Sequence, residues 1–302
     1  MTTEKISIGD FEVSKVIESV APSFELNFLL PDADPDVVKA NRDWLYPTYI
    51  DPDSDILILS FHSYLVKTGR HTILIDACAG NDKDLPAFPD MHKLNTNYLG
   101  NLAAAGLTPE DIDFVMCTHM HPDHVGWNTR LDNGEWVPTF PNARYLFGKT
   151  EFEAWQGYHR DVAGTAEDTV PPPVSEALGF SFRDSVLPVV EAGRAEMIED
   201  GFELETGIRV EAAPGHSPGN FVFHLESAGE RALASGDVLH HPLQLLHPEW
   251  SSGFCVDPVA SAATRRRVLE EVVESGSILM PAHFPSPSWV KIEASEGGFR
   301  IE

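Results

Sequence analysis

Five short apolar runs in this chain each stop at a turn that carries a histidine or an aspartate. Ile73–Ile75 ends at Asp76, and Phe114–Cys117 delivers the chain to Thr118-His119. Ile208–Ala212 leads to Pro214-Gly215-His216, Ala232–Ala234 to Ser235-Gly236-Asp237, and Ile278–Met280 to Pro281-Ala282-His283. Strands that end this way aim polar side chains into one cleft, so the pattern calls for a scaffold rich in β-sheet. The densest of these turns is His119-Met120-His121-Pro122-Asp123-His124, with four metal-ligating side chains in six residues. Imidazole and carboxylate are ligands for borderline divalent ions such as zinc. One tetrahedral ion cannot readily use four side chains packed so closely together with more from elsewhere, whereas two neighbouring ions can. His119 and His121 can point to one side of an extended chain, while Asp123 and His124 turn towards a second ion. With 13 histidines in 302 residues, three in six positions beside an aspartate are improbable as a chance surface turn.

Composition narrows the class. The chain carries 21 Lys+Arg against 47 Asp+Glu, a formal charge of −26 that repels phosphate backbones and anionic lipid surfaces. No run approaches the roughly 20 apolar residues of a membrane span, and the N-terminal MTTEKISIGD has no apolar core of a signal peptide. Cys78, Cys117 and Cys255 are too few and too scattered for a disulfide framework. A cytoplasmic protein is expected. Its expected partners are a small-molecule substrate and, at most, a second copy in a homodimer, with no nucleic acid and no membrane. The length fits one large unit over 1–302 with its own core.

Along the chain, Ile6–Val20 reads as a strand pair turning at Gly9-Asp10. Residues 21–53 hold five prolines and form a long excursion, with a short helix over Pro35–Leu45. Strands are expected at Ile56–Val66, Thr72–Ile75, Phe114–Cys117, Arg144–Phe147, Ile208–Ala212, Phe221–Leu225, Ala232–Ser235 and Ile278–Met280, with two more at Trp289–Ile292 and Gly298–Ile301. Helices are expected at Leu94–Ala105, at Thr150–Tyr158 with Thr150 as its cap, and at Asp257–Glu274, opened by Asp257-Pro258 and closed by Gly276. Loops and short helices over about 150–195 read as an inserted cap. The class is α+β, with two mixed β-sheets packed face to face and helices outside.

From Ile56 to His283 the chain resembles the metallo-β-lactamase-fold hydrolases. The family pattern H-x-H-x-D-H, then His, Asp and His, is met by His119, His121, Asp123, His124, His216, Asp237 and His283. The resemblance implies a four-layer αβ/βα sandwich and two divalent metal ions, most simply Zn2+. His119, His121 and His216 would hold one ion, Asp123, His124 and His283 the other, and Asp237 would bridge them. A hydroxide shared by two cations is a nucleophile near neutral pH. Asp123 would pass a proton to the leaving group, and Asp76 would orient a metal-bound imidazole from behind.

Among the family's branches, the arrangement is similar to the N-acyl-homoserine lactonases and the related aryl phosphotriesterases and hydrolytic dehalogenases. True β-lactamases of the family lack the bridging aspartate. The expected substrate is an uncharged, fairly hydrophobic lactone or ester, which suits an acidic protein better than an anion. Where lactonases place a tyrosine after the bridging aspartate, Val238-Leu239-His240-His241 stands instead, so His240 or His241 is the candidate for holding the substrate oxygen. Trp155 and Trp250, with Phe24, Phe28, Trp44, Tyr46, Phe152 and Tyr158, are candidates for an apolar pocket wall. An iron-dependent oxidoreductase on the same scaffold is the alternative from another class; flavodiiron relatives usually carry glutamate where His121 stands. Gly215-His216-Ser217-Pro218-Gly219 also spells a serine-hydrolase elbow, but Pro218 has no N–H for the oxyanion hole. Asp51-Pro52-Asp53-Ser54-Asp55 opens like a calcium loop, yet Ile56 stands where glycine is needed, so a solvated turn is expected.

Overall fold

The computed structural model describes residues 4–162 and 181–302. The chain forms two compact units, one from Met1–Ser19 with Phe61–Phe202 and one from Val20–Ser60 with Glu203–Glu302.

The first unit is built on strands β1 (Lys5–Ile8), β2 (Phe11–Phe24), β3 (Leu57–Lys67), β4 (Thr72–Ile75), β5 (Phe114–Met116), β6 (Thr129–Asp132), β7 (Glu135–Pro138), β8 (Arg144–Gly148) and β9 (Ala195–Ile198). Seven of them form one sheet in the order β1-β2-β3-β4-β5-β8-β9, and β6-β7 is a separate hairpin. The expected hairpin at Gly9-Asp10 is present, with Ile8 opposite Phe11. Central strands are apolar on both faces; Ile73, Leu74, Val115, Met116, Tyr145 and Leu146 are all fully buried. β4 and β5 are parallel neighbours with Ile75 opposite Met116. The turns that follow them therefore start side by side, at the carboxyl ends of the parallel strands β4-β5-β8-β9 of this mixed sheet, where ligand sites collect.

The second unit has strands β10 (Glu203–Glu205), β11 (Ile208–Ala212), β12 (Phe221–Ser227), β13 (Glu230–Gly236) and β14 (Ile278–Pro281) in that spatial order. β11 and β13 are each antiparallel to β12, and β14 is parallel to β13. All three strands that precede a predicted ligand thus end at the same edge. The helix Pro258–Ser275 links β13 to β14; the Asp257 side chain caps it at Ala260 N (2.9 Å), and Gly276 ends it at φ 66°. Val268, Leu269 and Val272 bury its inner face against Val222, Leu233, Leu279 and Phe284. A terminal hairpin pairs β15 (Ile292–Ser295) with β16 (Gly298–Ile301).

Several boundaries differ from the sequence reading for local reasons. The helix expected from Leu94 starts at Tyr98, because the Asn81 side chain holds both Thr96 N (2.7 Å) and Thr96 O (3.1 Å) in a loop. The strand expected at Trp289 starts at Ile292, since Val290 exchanges both backbone hydrogen bonds with Leu279 as a lone bridge. The helix expected from Thr150 runs Lys149–Val162 directly off β8, so Thr150 lies in its first turn rather than at its cap. The 21–53 excursion keeps β2 as far as Phe24 and then holds three short helices, at Leu26–Leu29, Pro35–Ala40 and Arg42–Leu45. Of the insertion expected over 150–195, residues 163–180 lie outside the described residues; Phe182–Glu191 is helical and leads into β9. The β6-β7 hairpin was not anticipated, although Asn133-Gly134 is a strong two-residue turn signal.

Candidate metal centre

In the first unit, two turns are joined backbone to backbone. The Ala77 N–H donates to His124 O (2.8 Å), Gly126 N–H to Cys78 O (2.7 Å) and Trp127 N–H to Ala77 O (2.6 Å). So close an approach requires glycine: a Cβ on Gly126 would lie 1.8 Å from the Ala79 carbonyl oxygen. Asp76 sits at φ 59°, a conformation uncommon for a non-glycine residue, and its carboxylate explains why it is held there. Oδ1 accepts from Thr118 N (2.7 Å), and Oδ2 faces both Thr118 Oγ1 (2.9 Å) and His124 Nδ1 (2.9 Å). Thr118 Oγ1 also lies 3.0 Å from His119 Nδ1. With Nδ1 engaged from behind, an imidazole presents Nε2 to whatever lies in front. His119, His121 and His124 are buried, with ring centroids 4.4 Å apart for His119–His121 and 4.1 Å for His119–His124. His119 and His121 offer nitrogens within 4.8 Å of each other, and Asp123 and His124 likewise offer an oxygen and a nitrogen.

The second unit gathers its predicted ligands around one carboxylate. Asp237 is 3 % exposed, and three imidazoles face it. His216 Nε2 lies 3.2 Å and His240 Nε2 3.1 Å from Oδ2, while His283 Nε2 lies 3.0 Å from Oδ1. His283 Nδ1 is engaged by the Ser60 carbonyl (3.2 Å), and His216 Nδ1 lies 3.6 Å from Cys255 Sγ. Burial draws the His216 imidazole down, but Asp237 and Cys255 outweigh it and raise it to about 9. For His240, burial prevails over Asp237 and lowers it to about 4, so this ring is neutral. A buried carboxylate with the His216 and His283 Nε2 atoms on its two oxygens supplies donors of a divalent-ion site, so these residues fit a metal.

The neighbouring candidates divide by surroundings. His241 has both nitrogens in the framework, Nε2 on Tyr49 O (3.0 Å) and Nδ1 facing Leu243 N (3.3 Å), which leaves His240 as the histidine beside Asp237. Trp155 is buried with its ring centroid 5.9 Å from that of His121, and its Nε1 donates to Glu151 (2.6 Å). Trp250 stacks on His247 at 4.1 Å, and its carbonyl accepts from the Gln244 amide that also braces His240 N. Phe24, Phe28 and Phe254 form an aromatic cluster with centroids 5.3–5.9 Å apart, and Phe28 is 58 % exposed. Asp51 caps its own turn through Ser54 N (2.9 Å), as a solvated turn requires.

Two buried glutamates were missed by sequence reasoning. Glu18 accepts from Ala79 N (2.8 Å), Gly80 N (3.1 Å) and Trp127 Nε1 (2.6 Å), clamping the two joined turns from behind. Glu151 accepts from Met120 N (3.0 Å), the residue between His119 and His121. The turn residues that they hold, Ala79, Gly80, Trp127 and Met120, are so distant in sequence that no spacing announces them.

Comparison with known proteins accords with this geometry. The profile of the Metallo-beta-lactamase superfamily matches residues 61–283. The chain belongs to that superfamily. An N-acyl homoserine lactonase of Bacillus thuringiensis is 24% identical over 241 residues, covering 76% of this chain and 82% of that protein. Among solved structures, the hydrolase AbOPH of the beta lactamase superfamily gives a TM-score of 0.81 at 24% identity, covering 99% of this chain and 96% of its own. AidC, a dizinc quorum-quenching lactonase in complex with a product, gives 0.81 at 22% over the same shares. These likenesses show the metallo-β-lactamase fold, an α+β architecture as expected.

Proposed function

We propose that the chain is a dinuclear metal-dependent hydrolase of uncharged, fairly hydrophobic lactones or esters. The observation that carries this reading is Asp237, a buried carboxylate with His216 Nε2 on one oxygen and His283 Nε2 on the other. In this reading His119, His121 and His216 serve one ion, Asp123, His124 and His283 a second, and Asp237 both, with zinc as the metal. Such a pair supplies Lewis-acid polarisation of a carbonyl and a water made nucleophilic near neutral pH.

The chain's own residues do the rest. Asp76 and the Ser60 carbonyl fix His124 and His283 through Nδ1, so that the ligand nitrogens need no reorganisation. Asp123, 16 % exposed at its side chain, is the least buried of the first unit's ligands and takes up and delivers the proton that the leaving oxygen needs. His240, kept neutral by burial, donates an N–H to the substrate oxygen in the role that a tyrosine holds in lactonases. The Phe24–Phe28–Phe254 cluster offers an apolar surface one residue from Cys255, the contact of His216 Nδ1, and suits an acyl or aryl group. The lactonase relatives support a lactone as the first choice.

A panel of lactones, aryl esters, aryl phosphotriesters, β-lactams and halogenated aromatics, tested on metal-quantified protein, decides the matter. Lactone or ester turnover lost on chelation and restored by zinc supports the reading. Activity confined to another class, or oxygen consumption by iron-loaded protein, overturns it.

A further inference from the structure

The helix Pro258–Ser275 is seated on the His216 turn by the backbone of the two residues that precede it. Asp257 N–H donates to Gly215 O (2.9 Å) and Val256 N–H to His216 O (3.0 Å). A Cβ on Gly215 would lie 2.3 Å from Ser261 N, so only glycine lets the helix come this near. Within the helix stands Arg265, 0 % exposed. Its Nε donates to Val238 O (2.6 Å), its Nη1 to Pro248 O (2.7 Å) and its Nη2 to Ser261 Oγ (3.0 Å). Val238 follows Asp237 directly. Ser261 Oγ accepts from Cys255 Sγ (3.2 Å), which lies 3.6 Å from His216 Nδ1.

Among the described residues, the guanidinium hydrogen-bonds to carbonyl and hydroxyl oxygens and to no carboxylate. Burying a cation on neutral acceptors is costly, and burial draws Arg265 down to about 10. Helix packing does not need that cost, because Val268, Leu269 and Val272 already supply the apolar face. What a planar guanidinium achieves, and an ammonium with its three donors on one nitrogen cannot, is to hold three separately placed oxygens in a fixed geometry.

We infer that Arg265 is a positioning residue for both His216 and Asp237, acting on the Asp237 turn through the Val238 carbonyl and on His216 through Ser261 and Cys255. This rests on the reading that His216 and Asp237 hold metal. The branch to His216 is a relay of hydrogen bonds, so it can be cut at Ser261 without touching the fork on Val238 and Pro248.

The test uses the full chain loaded with cobalt, reading the visible absorption spectrum and affinity by chelator competition, with melting of the metal-free protein as the control for folding. Ser261→Ala is expected to weaken cobalt binding about 10–100-fold and to shift the spectrum, while the metal-free protein still melts cooperatively, at a temperature lowered because Arg265 Nη2 and Cys255 Sγ lose their acceptor. Arg265→Lys is expected to do at least as much, and Cys255→Ser, which keeps a group able to bond His216, to keep most of the affinity. If Arg265→Lys fails to fold, Arg265→Gln takes its place under the same criterion, and Ser261→Ala still decides the relay to His216. Wild-type affinity and spectrum in Ser261→Ala overturn the relay to His216, and the same in Arg265→Lys overturns the inference entirely. Failure of the wild-type chain to bind cobalt instead overturns the metal-dependent reading on which it rests.

Discussion

Asp76 Oδ2 and His124 Nδ1 are 2.9 Å apart, which sets the tautomer and direction of an imidazole whose other nitrogen is the proposed ligand. The same carboxylate takes the Thr118 N–H and hydroxyl, so its removal leaves buried donors unsatisfied. Asp76→Ala should weaken metal binding about 10–100-fold and destabilise the fold by about 1–3 kcal/mol, read by chelator competition and by thermal melting. Asp76→Ala protein with wild-type metal affinity would make Asp76 a turn residue only.

Gly126 and Gly157 should respond in opposite ways to alanine. At Gly126 the new Cβ meets the Ala79 carbonyl at 1.8 Å, backbone against backbone, with nothing flexible to yield. A loss of about 3 kcal/mol, the upper range for overpacking, is expected. At Gly157, inside Lys149–Val162, a Cβ meets nothing within 4 Å. Gly157→Ala should therefore gain about 1 kcal/mol of helix stability. Denaturant unfolding of the two variants checks both signs.

Glu18 reports on pH. Burial raises its carboxyl above the ordinary carboxylate range, against the pull of its donors. A raised folded-state pKa means that Glu18's contribution is fully present below the unfolded value and is lost as pH rises through the folded one. Glu18→Gln should remove that dependence. It should also cost about 1–3 kcal/mol at neutral pH, because an amide NH2 cannot accept from Ala79 N, Gly80 N and Trp127 together. Melting from pH 4 upward would show whether the slope disappears.

Lys83 is buried over the Trp136 ring (3.5 Å), donates to Thr129 Oγ1 (2.7 Å) and lies 3.6 Å from the buried Asp184. Burial lowers it to about 8, despite the opposing pull of Asp184. Lys83→Met should lose about 3–5 kcal/mol at pH 7 by leaving Asp184 uncompensated, and Lys83→Met with Asp184→Asn should recover much of it. Because the folded pKa lies below the unfolded one, the pH-dependent part of the lysine's contribution is fullest above the unfolded value and is lost as pH falls through about 8, leaving at pH 7 only the pairing with Asp184. The stability gap between wild type and Lys83→Met should therefore widen by about 3 kcal/mol from pH 8 to 10.5. A gap that stays constant would mean Lys83 is not shifted.

The ligands of the proposed centre were legible because each follows a short apolar run, and the run-and-turn pattern is local. β4 and β5, or β13 and β14, need only be parallel neighbours for Asp76 and His119, or Asp237 and His283, to leave the same edge. The supports behind them were not legible. Glu18 reaches Trp127 across 109 positions and Arg265 reaches Val238 across 27, and a buried Glu or Arg looks in sequence like any surface charge. Helix starts failed where a side chain competed for the backbone, as Asn81 does at Thr96. Of the two histidines offered for the substrate oxygen, only the fold could separate His240 beside Asp237 from His241 on the Tyr49 carbonyl.

The most direct test of the central claim is the metal content and turnover of Asp237→Ala beside the wild type, each purified with zinc and measured on the same lactone. The account predicts two equivalents and chelator-sensitive turnover for the wild type, with the variant losing metal and nearly all of its rate. Two tightly held equivalents and an undiminished rate in Asp237→Ala would contradict it.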